Sequence, residues 1–186
     1  MAITKEEILD LFRETDLRMQ ETDRRMQETD RIVKETSRQV KEVNRAIGRL
    51  GNRLGEFVEE MVRPAAVRLF QQRGIAVHQV AQRLCLERNG YATEIDLMVV
   101  NDTDVVLIEV KSALSLQDVD DHLDRLQHFK MLSPQYKDCR VMGAVASMVL
   151  SDDAARYAYR KGLFVIGQSG ETVTIRNDNA FKPAEW

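Results

Sequence analysis

The stretch "EIDLMVVNDTDVVLIEVKS", residues 94–112, decides the fold. Two apolar runs, LMVV and VVLI, flank a polar break rich in Asn, Asp and Thr, which is the pattern of two strands joined by a short turn. Both runs are continuous rather than alternating, so both faces of these strands should be covered. Yet Glu94, Asp96, Glu109 and Lys111 gather at the open end, although carboxylates are among the residues least often buried without partners. If Asp102 and Thr103 form the turn, Val100 faces Val105, Asp96 faces Glu109, and Glu94 faces Lys111, with all four polar residues on one face. Directly opposed residues have Cβ atoms roughly 5 Å apart. Two carboxylates at that distance repel by about 3 kcal/mol at an effective dielectric of about 20. A cation must offset this: either Lys111, or a divalent ion such as Mg²⁺ or Mn²⁺, which suits paired carboxylates and a backbone carbonyl. A solvated cross-strand charge ladder is the alternative, and the two-sided apolar runs speak against it.

Outward from the hairpin, strand patterns are expected at 75–87, 91–100, 104–111 and 139–147, with a terminal pair around the turn at Ser169 and Gly170. Two helices intervene. The first opens with the capping-box spelling Ser115-Leu-Gln-Asp118, carries Val119, Leu123, Leu126 and Phe129 on one face, and stops before Pro134. The second runs from the cap Ser151 to Gly162.

Toward the N-terminus the chain repeats every seven residues between 15 and 42: TDLRMQE, TDRRMQE, TDRIVKE, TSRQVKE. A strict seven-residue period marks a coiled coil. Met19, Met26, Val33, Val40, Ile47, Leu54 and Met61 take the a positions, and Thr15, Thr22, Thr29, Thr36, Val43, Leu50 and Phe57 the d positions. Arg18 and Arg25 at g precede Asp23 and Asp30 at the following e positions, an attractive arrangement between parallel helices. The expectation is a parallel homo-oligomer, dimer or tetramer. A helix from about residue 5 to 73 would be on the order of 100 Å long, bent just before Pro64, near Glu60. The domains expected are a coiled-coil oligomerisation helix, 1–53, and an α/β domain, 54–186.

Composition bounds the rest. The 44% apolar fraction suffices for a packed core, and the net charge of −3 argues against a protein that coats nucleic acid by bulk electrostatics. Residues 1–50 balance 11 basic against 11 acidic residues, so the whole deficit lies in the remainder, where clustered acids at one site could produce it. Cys85 and Cys139 lie far apart, without metal or disulfide spacing, and are expected as reduced core or near-core thiols. The pair His122 and His128 lacks a third ligand for a zinc site. The start of the chain carries no secretory pattern and no segment long enough to span a bilayer, so no membrane association and a cytoplasmic address are expected.

Asp96, twelve intervening residues, then Glu109-Val110-Lys111 resembles the signature of the PD-(D/E)XK nuclease superfamily. The order helix, three strands, helix, strand is similar to its restriction-endonuclease-like core, an α/β fold with a mixed central sheet flanked by helices. Ile95 stands where the signature usually has proline. The resemblance implies a Mg²⁺ (or Mn²⁺) ion held by Asp96, Glu109 and the carbonyl of Val110, with Lys111 orienting or helping to deprotonate the attacking water. It also implies an acid from the preceding helix. Glu59 in "GEFVE" is the candidate, with Glu56 and Glu60 as alternatives, and Gln127 is a candidate for a glutamine on the following helix. The function implied is a metal-dependent nuclease hydrolysing nucleic acid, DNA as the expected substrate, oligomerised through its coiled coil. The competing expectation is a nuclease-like fold that does not cleave and serves in assembly or nucleic-acid binding.

Overall fold

Residues 97–100 and 105–108 pair antiparallel in the expected register, with Val100 opposite Val105 and Leu97 opposite Ile108. Asn101 shapes the turn, its Oδ1 accepting the N–H groups of Thr103 and Asp104 at 2.8 and 2.6 Å, as Asx turns do. The computed structural model describes residues 5–170 and 172–186, which divide into two compact units, Met1–Leu50 and Gly51–Trp186.

In the first unit every residue whose side chain is described is exposed. The helix α1, Lys5–Gln71, begins here, and its assignment runs through Pro64 without a break. Met19, Met26, Val33, Val40, Val43, Ile47 and Leu50, the expected seam, all stand in solvent. At the d positions Thr22 and Thr29, each hydroxyl donates to the carbonyl four residues back at 2.8 Å. Their polar atoms are thus satisfied within the helix. Arg18 pairs with Glu14 and Arg25 with Glu21 along the same helix.

The second unit is built on a six-stranded mixed sheet in the order β1–β2–β3–β4–β5–β6. Its strands are β1 Gln79–Arg88, β2 Tyr91–Val100, β3 Asp104–Ala113, β4 Arg140–Val149, β5 Phe164–Ser169 and β6 Thr172–Ile175. The connections β3–α2–β4 and β4–α3–β5 are parallel crossovers that step the same way across the sheet. With the usual right-handed connection, α2 (Leu116–Leu132) and α3 (Asp152–Arg160) must lie on one face. There Val119, Leu126, Phe129, Ala154 and Ala158 cover Met98, Leu107, Val145 and Val165. The opposite face is covered by Val58, Val62, Ala66, Leu69 and Phe70 of α1, packed on Leu97, Val99, Ile108 and Ile166. The expected capping box forms: Ser115 Oγ accepts the Asp118 N–H, and Asp118 accepts the Ser115 N–H at 2.9 Å. Helix α2 can settle close because Gly143 of β4 lies beneath Leu126, leaving no room for a Cβ.

Strict alternation fails at one step. Pairing of β1 with β2 skips Arg83 opposite Asp96, while Gln82–Leu97 and Leu84–Ile95 keep the register on either side. Arg83 adopts a left-handed φ of 48°. On β2, Leu97 faces α1 but Ile95 faces α2; on β1, Val80 packs toward α1 and both Ala81 and Leu84 toward α2. Both strands therefore change sides together.

Candidate active site

Asp96 sits at the step where β2 changes sides. The expected pairing of Asp96 with Glu109 and of Glu94 with Lys111 does not form: the β2–β3 ladder ends at Leu97 and Ile108. Instead the Asp96 carboxylate accepts the Val110 N–H at 2.7 Å. The side chain takes over a ladder bond that the parting backbones cannot make.

Asp96, Glu109, Lys111 and Glu94 nonetheless line one cleft of about 570 Å³, together with Tyr91 and Thr93 of β2 and Asp121, Asp124 and Arg125 of α2. Five carboxylates face two cations there, the clustered acids anticipated from the charge balance. Glu109 is 2% exposed. Lys111 Nζ lies 2.7 Å from its Oε1, and Arg125 closes a fork, Nη1 to Oε2 at 3.0 Å and Nη2 to Oε1 at 3.3 Å. Burial pushes the Glu109 carboxyl above its ordinary range and the Asp96 charge pushes the same way, while Lys111 and Arg125 oppose the rise. Burial alone would pull Lys111 down, but its hydrogen bond to Glu109 and the charges of Glu109 and Asp96 outweigh it, so the ammonium is held above its usual pKa. The pair attracts; the rise at Glu109 measures how strongly desolvation and Asp96 oppose it.

Glu59 lies on the α1 side of the sheet. Its side chain is 15% exposed and faces Arg83 Nε at 3.4 Å. Burial raises its pKa; Arg83 lowers it and the Asp96 charge raises it. Asp96 thus acts electrostatically on Glu59 and on Glu109. The alternatives are less suited: Glu56 is exposed beside Arg83, and Glu60 is exposed in an ion pair with Arg63. Gln127 is exposed and does not line the cleft. Cys85, expected near the core, is also exposed.

Sequence reasoning missed Arg125, Arg83 and the role of His122. His122 is fully buried beneath Glu109, Nδ1 to Oε2 at 3.9 Å, with Nε2–H donating to the Leu107 carbonyl at 3.3 Å. Burial, with the Arg125 charge, lowers its pKa to about 3. The available signal was helical spacing: His122 follows Val119 by three residues and belongs to the buried stripe, which Leu123 only borders. Tyr91 completes the wall, its hydroxyl donating to Asp124 at 2.5 Å while its ring stacks on His128.

Among the described residues no three His, Cys, Asp or Glu side chains converge as a ready metal cage. The donor chemistry still fits a hard divalent cation: two electrostatically coupled carboxylates, Asp96 and Glu109, in a cleft with an excess of negative charge.

A family described as "Protein of unknown function (DUF3782)" matches residues 16–94, covering the repeat, the rest of α1, β1 and the start of β2, and stopping short of Asp96. No curated protein sequence matches the chain. Among solved structures, a repair endonuclease from Pyrococcus abyssi is 19% identical over 56% of this chain and 44% of that one, with a TM-score of 0.39. A protein from Vibrio cholerae is 18% identical over 61% and 30%, with a TM-score of 0.44. The small subunit of a heterodimeric restriction endonuclease is 17% identical over 63% and 71%, with a TM-score of 0.34. The chain spans 54% or less of the length of the first three solved structures it matches. No described helix is long and apolar enough to cross a membrane.

Proposed function

We propose that the second unit is a metal-dependent phosphodiesterase acting on nucleic acid, DNA being the expected substrate, and that the heptad helix assembles it into a parallel homo-oligomer. The observation that carries the reading is the Asp96–Glu109–Lys111 arrangement: a buried acid, repelled by a second acid and held 2.7 Å from an ammonium, at the wall of an open cleft. Asp96, Glu109 and the Val110 carbonyl would hold Mg²⁺ or Mn²⁺, with Glu59 the added acid from α1. The ion, when bound, would supply Lewis-acid polarisation of a phosphodiester oxygen.

The protein's own groups do the rest. Lys111, kept protonated by Glu109, orients water and steadies developing negative charge rather than acting as a base. Asp96, pinned by Val110, fixes the spacing of the two strands at the site. The excess of carboxylates repels a bare phosphodiester, so cation binding must precede substrate binding. The test is incubation of purified protein with single-stranded, double-stranded and branched substrates in Mg²⁺, Mn²⁺ or EDTA. Absence of metal-dependent cleavage on every substrate sinks the enzymatic reading.

A second reading is a nuclease-like module that does not cleave. The Arg125 fork favours it, because Glu109 is already neutralised by side chains. Metal binding without cleavage, or neither, is its signature in the same assay.

A further inference from the structure

We propose that Arg125 is a built-in counter-cation, which holds Glu109 until a divalent ion displaces it. The inference rests on the metal-dependent reading above and concerns the order in which cations occupy one carboxylate.

A carboxylate offers about four lone-pair directions. On Glu109 three are taken by charged donors, two from Arg125 and one from Lys111. The fourth side is faced by His122. Because Nε2–H of His122 donates to Leu107, its Nδ1 carries a lone pair, and that atom is buried with no hydrogen-bond partner. Two acceptors confront each other there, so no donor fills that side. That side is buried against the imidazole, so an ion arriving through the cleft meets Glu109 oxygens already engaged by Arg125 and Lys111.

The geometry selects which of the two gives way. Lys111 lies on the same strand as Glu109, two residues on. Lys111 is the more exposed side chain, 36% against 18%, but stays within reach of Glu109 through their shared strand, whereas Arg125 reaches in from α2 and can swing back along its own helix. Once released, it finds Asp121 one helical turn back and Asp124 adjacent, both lining the same cleft. Asp121 has one oxygen engaged, by Gln117, and the other to offer; on Asp124, Tyr91 holds Oδ2 and His128 Nδ1 stands 3.4 Å from Oδ1, so Asp121 is the freer acceptor. The guanidinium therefore stays paired after it lets go. Exchanging a single charge for a double one also reduces the acid excess of the cleft. Arg125 is a positioning residue, acting through Glu109.

The experiment is calorimetric titration of the full-length chain with Mn²⁺, for the parent, Arg125→Gln, Arg125→Lys and the double variant Arg125→Gln/Glu109→Gln. Removing a competing charge-assisted pair should tighten Mn²⁺ binding by about ten- to a hundred-fold in Arg125→Gln. Arg125→Lys, with one donor in place of a fork, should fall between. The double variant should lose the gain, because the carboxylate contested by the two cations is gone. Mn²⁺ should also raise the melting temperature of Arg125→Gln more than that of the parent. A residue that merely braced the fold would weaken metal binding when removed. Parent and Arg125→Gln binding Mn²⁺ equally, or the variant binding it more weakly, overturns the proposal and leaves the metal reading standing. Folded parent and variant that both ignore Mn²⁺ overturn the two together. Should Arg125→Gln not fold, an unchanged affinity in Arg125→Lys decides against the proposal.

Discussion

The Oδ2 atom of Asp96 accepts the main-chain N–H of Val110 at 2.7 Å, two residues beyond the last ladder pair of the hairpin. One carboxylate thus serves the backbone and the cleft together, and substitutions can separate the two duties. Asp96→Asn keeps an acceptor for Val110 and loses the charge, so stability should change by less than about 1 kcal/mol while Mn²⁺ binding is lost. Asp96→Ala leaves the N–H of buried Val110 unpaired and should cost about 1–3 kcal/mol. Urea unfolding of both variants checks this. Equal stabilities for Asn and Ala would show that the bond to Val110 contributes nothing.

Glu109→Gln should abolish metal-dependent cleavage. On hairpin pairing alone the change would leave the fold intact or slightly more stable, because it removes one of two repelling acids. The fork from Arg125 and the contact from Lys111 reverse that expectation, since both cations lose their anion. A loss of about 1–2 kcal/mol is expected, limited because both side chains can turn toward solvent. Thermal unfolding in EDTA measures it, and a raised melting temperature contradicts it.

His122 gives the stability a definite response to acid. Its pKa is about 3 in the fold against 6.5 unperturbed. Between those values the unfolded chain binds the extra proton, so the contribution is complete above about pH 6.5 and disappears as the pH falls toward 3. Glu109 works the other way: its pKa is raised, so its contribution diminishes as the pH rises above 4.5. Comparing parent with His122→Gln cancels the Glu109 part. The variant keeps a donor for Leu107 and cannot charge. It should be about 1 kcal/mol less stable at pH 7 and should lose less on going to pH 4. Parallel declines in the two proteins would rule out a buried neutral imidazole.

Gly143 sets how closely α2 approaches the sheet, and with it the reach of Arg125. A Cβ there would stand 2.5 Å from Leu126 Cδ1 and from Leu163 Cδ2. Gly143→Ala should therefore cost about 1–3 kcal/mol by overpacking. An alanine variant with the parent's urea midpoint would mean that both leucines rearrange freely.

Val40 and Ile47, at a positions of the heptad repeat, are 52% and 62% exposed on the single chain, and on the proposed assembly a partner helix would cover them. The double substitution Val40→Glu/Ile47→Glu should place like charges along the seam and shift the protein to a smaller species. Removal of residues 1–42 should weaken association while leaving the α/β unit folded. Light scattering across a dilution series reads both, and an unchanged mass at every concentration identifies the repeat as a spacer only.

The hairpin, the capping box at Ser115 and the order of elements were legible because each is written locally: a polar turn between apolar runs, a cap spelled over four residues, and short apolar runs alternating with capped helical stripes. The change of sides at Arg83 and Asp96 was not, because both strands shift together and the register outside the step is untouched. No glycine or proline marks it. Arg125 escaped for a different reason. It borders the apolar stripe of α2, where arginine ordinarily reads as solvated, and its partner comes from sixteen residues earlier in the chain.

The step at Arg83 and Asp96 behaves as a matched insertion, one residue in each of two neighbouring strands. Deleting both would leave every other β1–β2 pair as it is and restore a regular alternation of sides, with Gln82 followed by Leu84 and Ile95 by Leu97. The left-handed backbone at Arg83 would disappear as well. The same edit would remove Asp96 from the cleft and the partner of Glu59 from the far face. Glu109, Lys111 and Arg125 would stay where β3 and α2 hold them, so the edit would separate the acid that the step contributes from the groups that the regular scaffold carries.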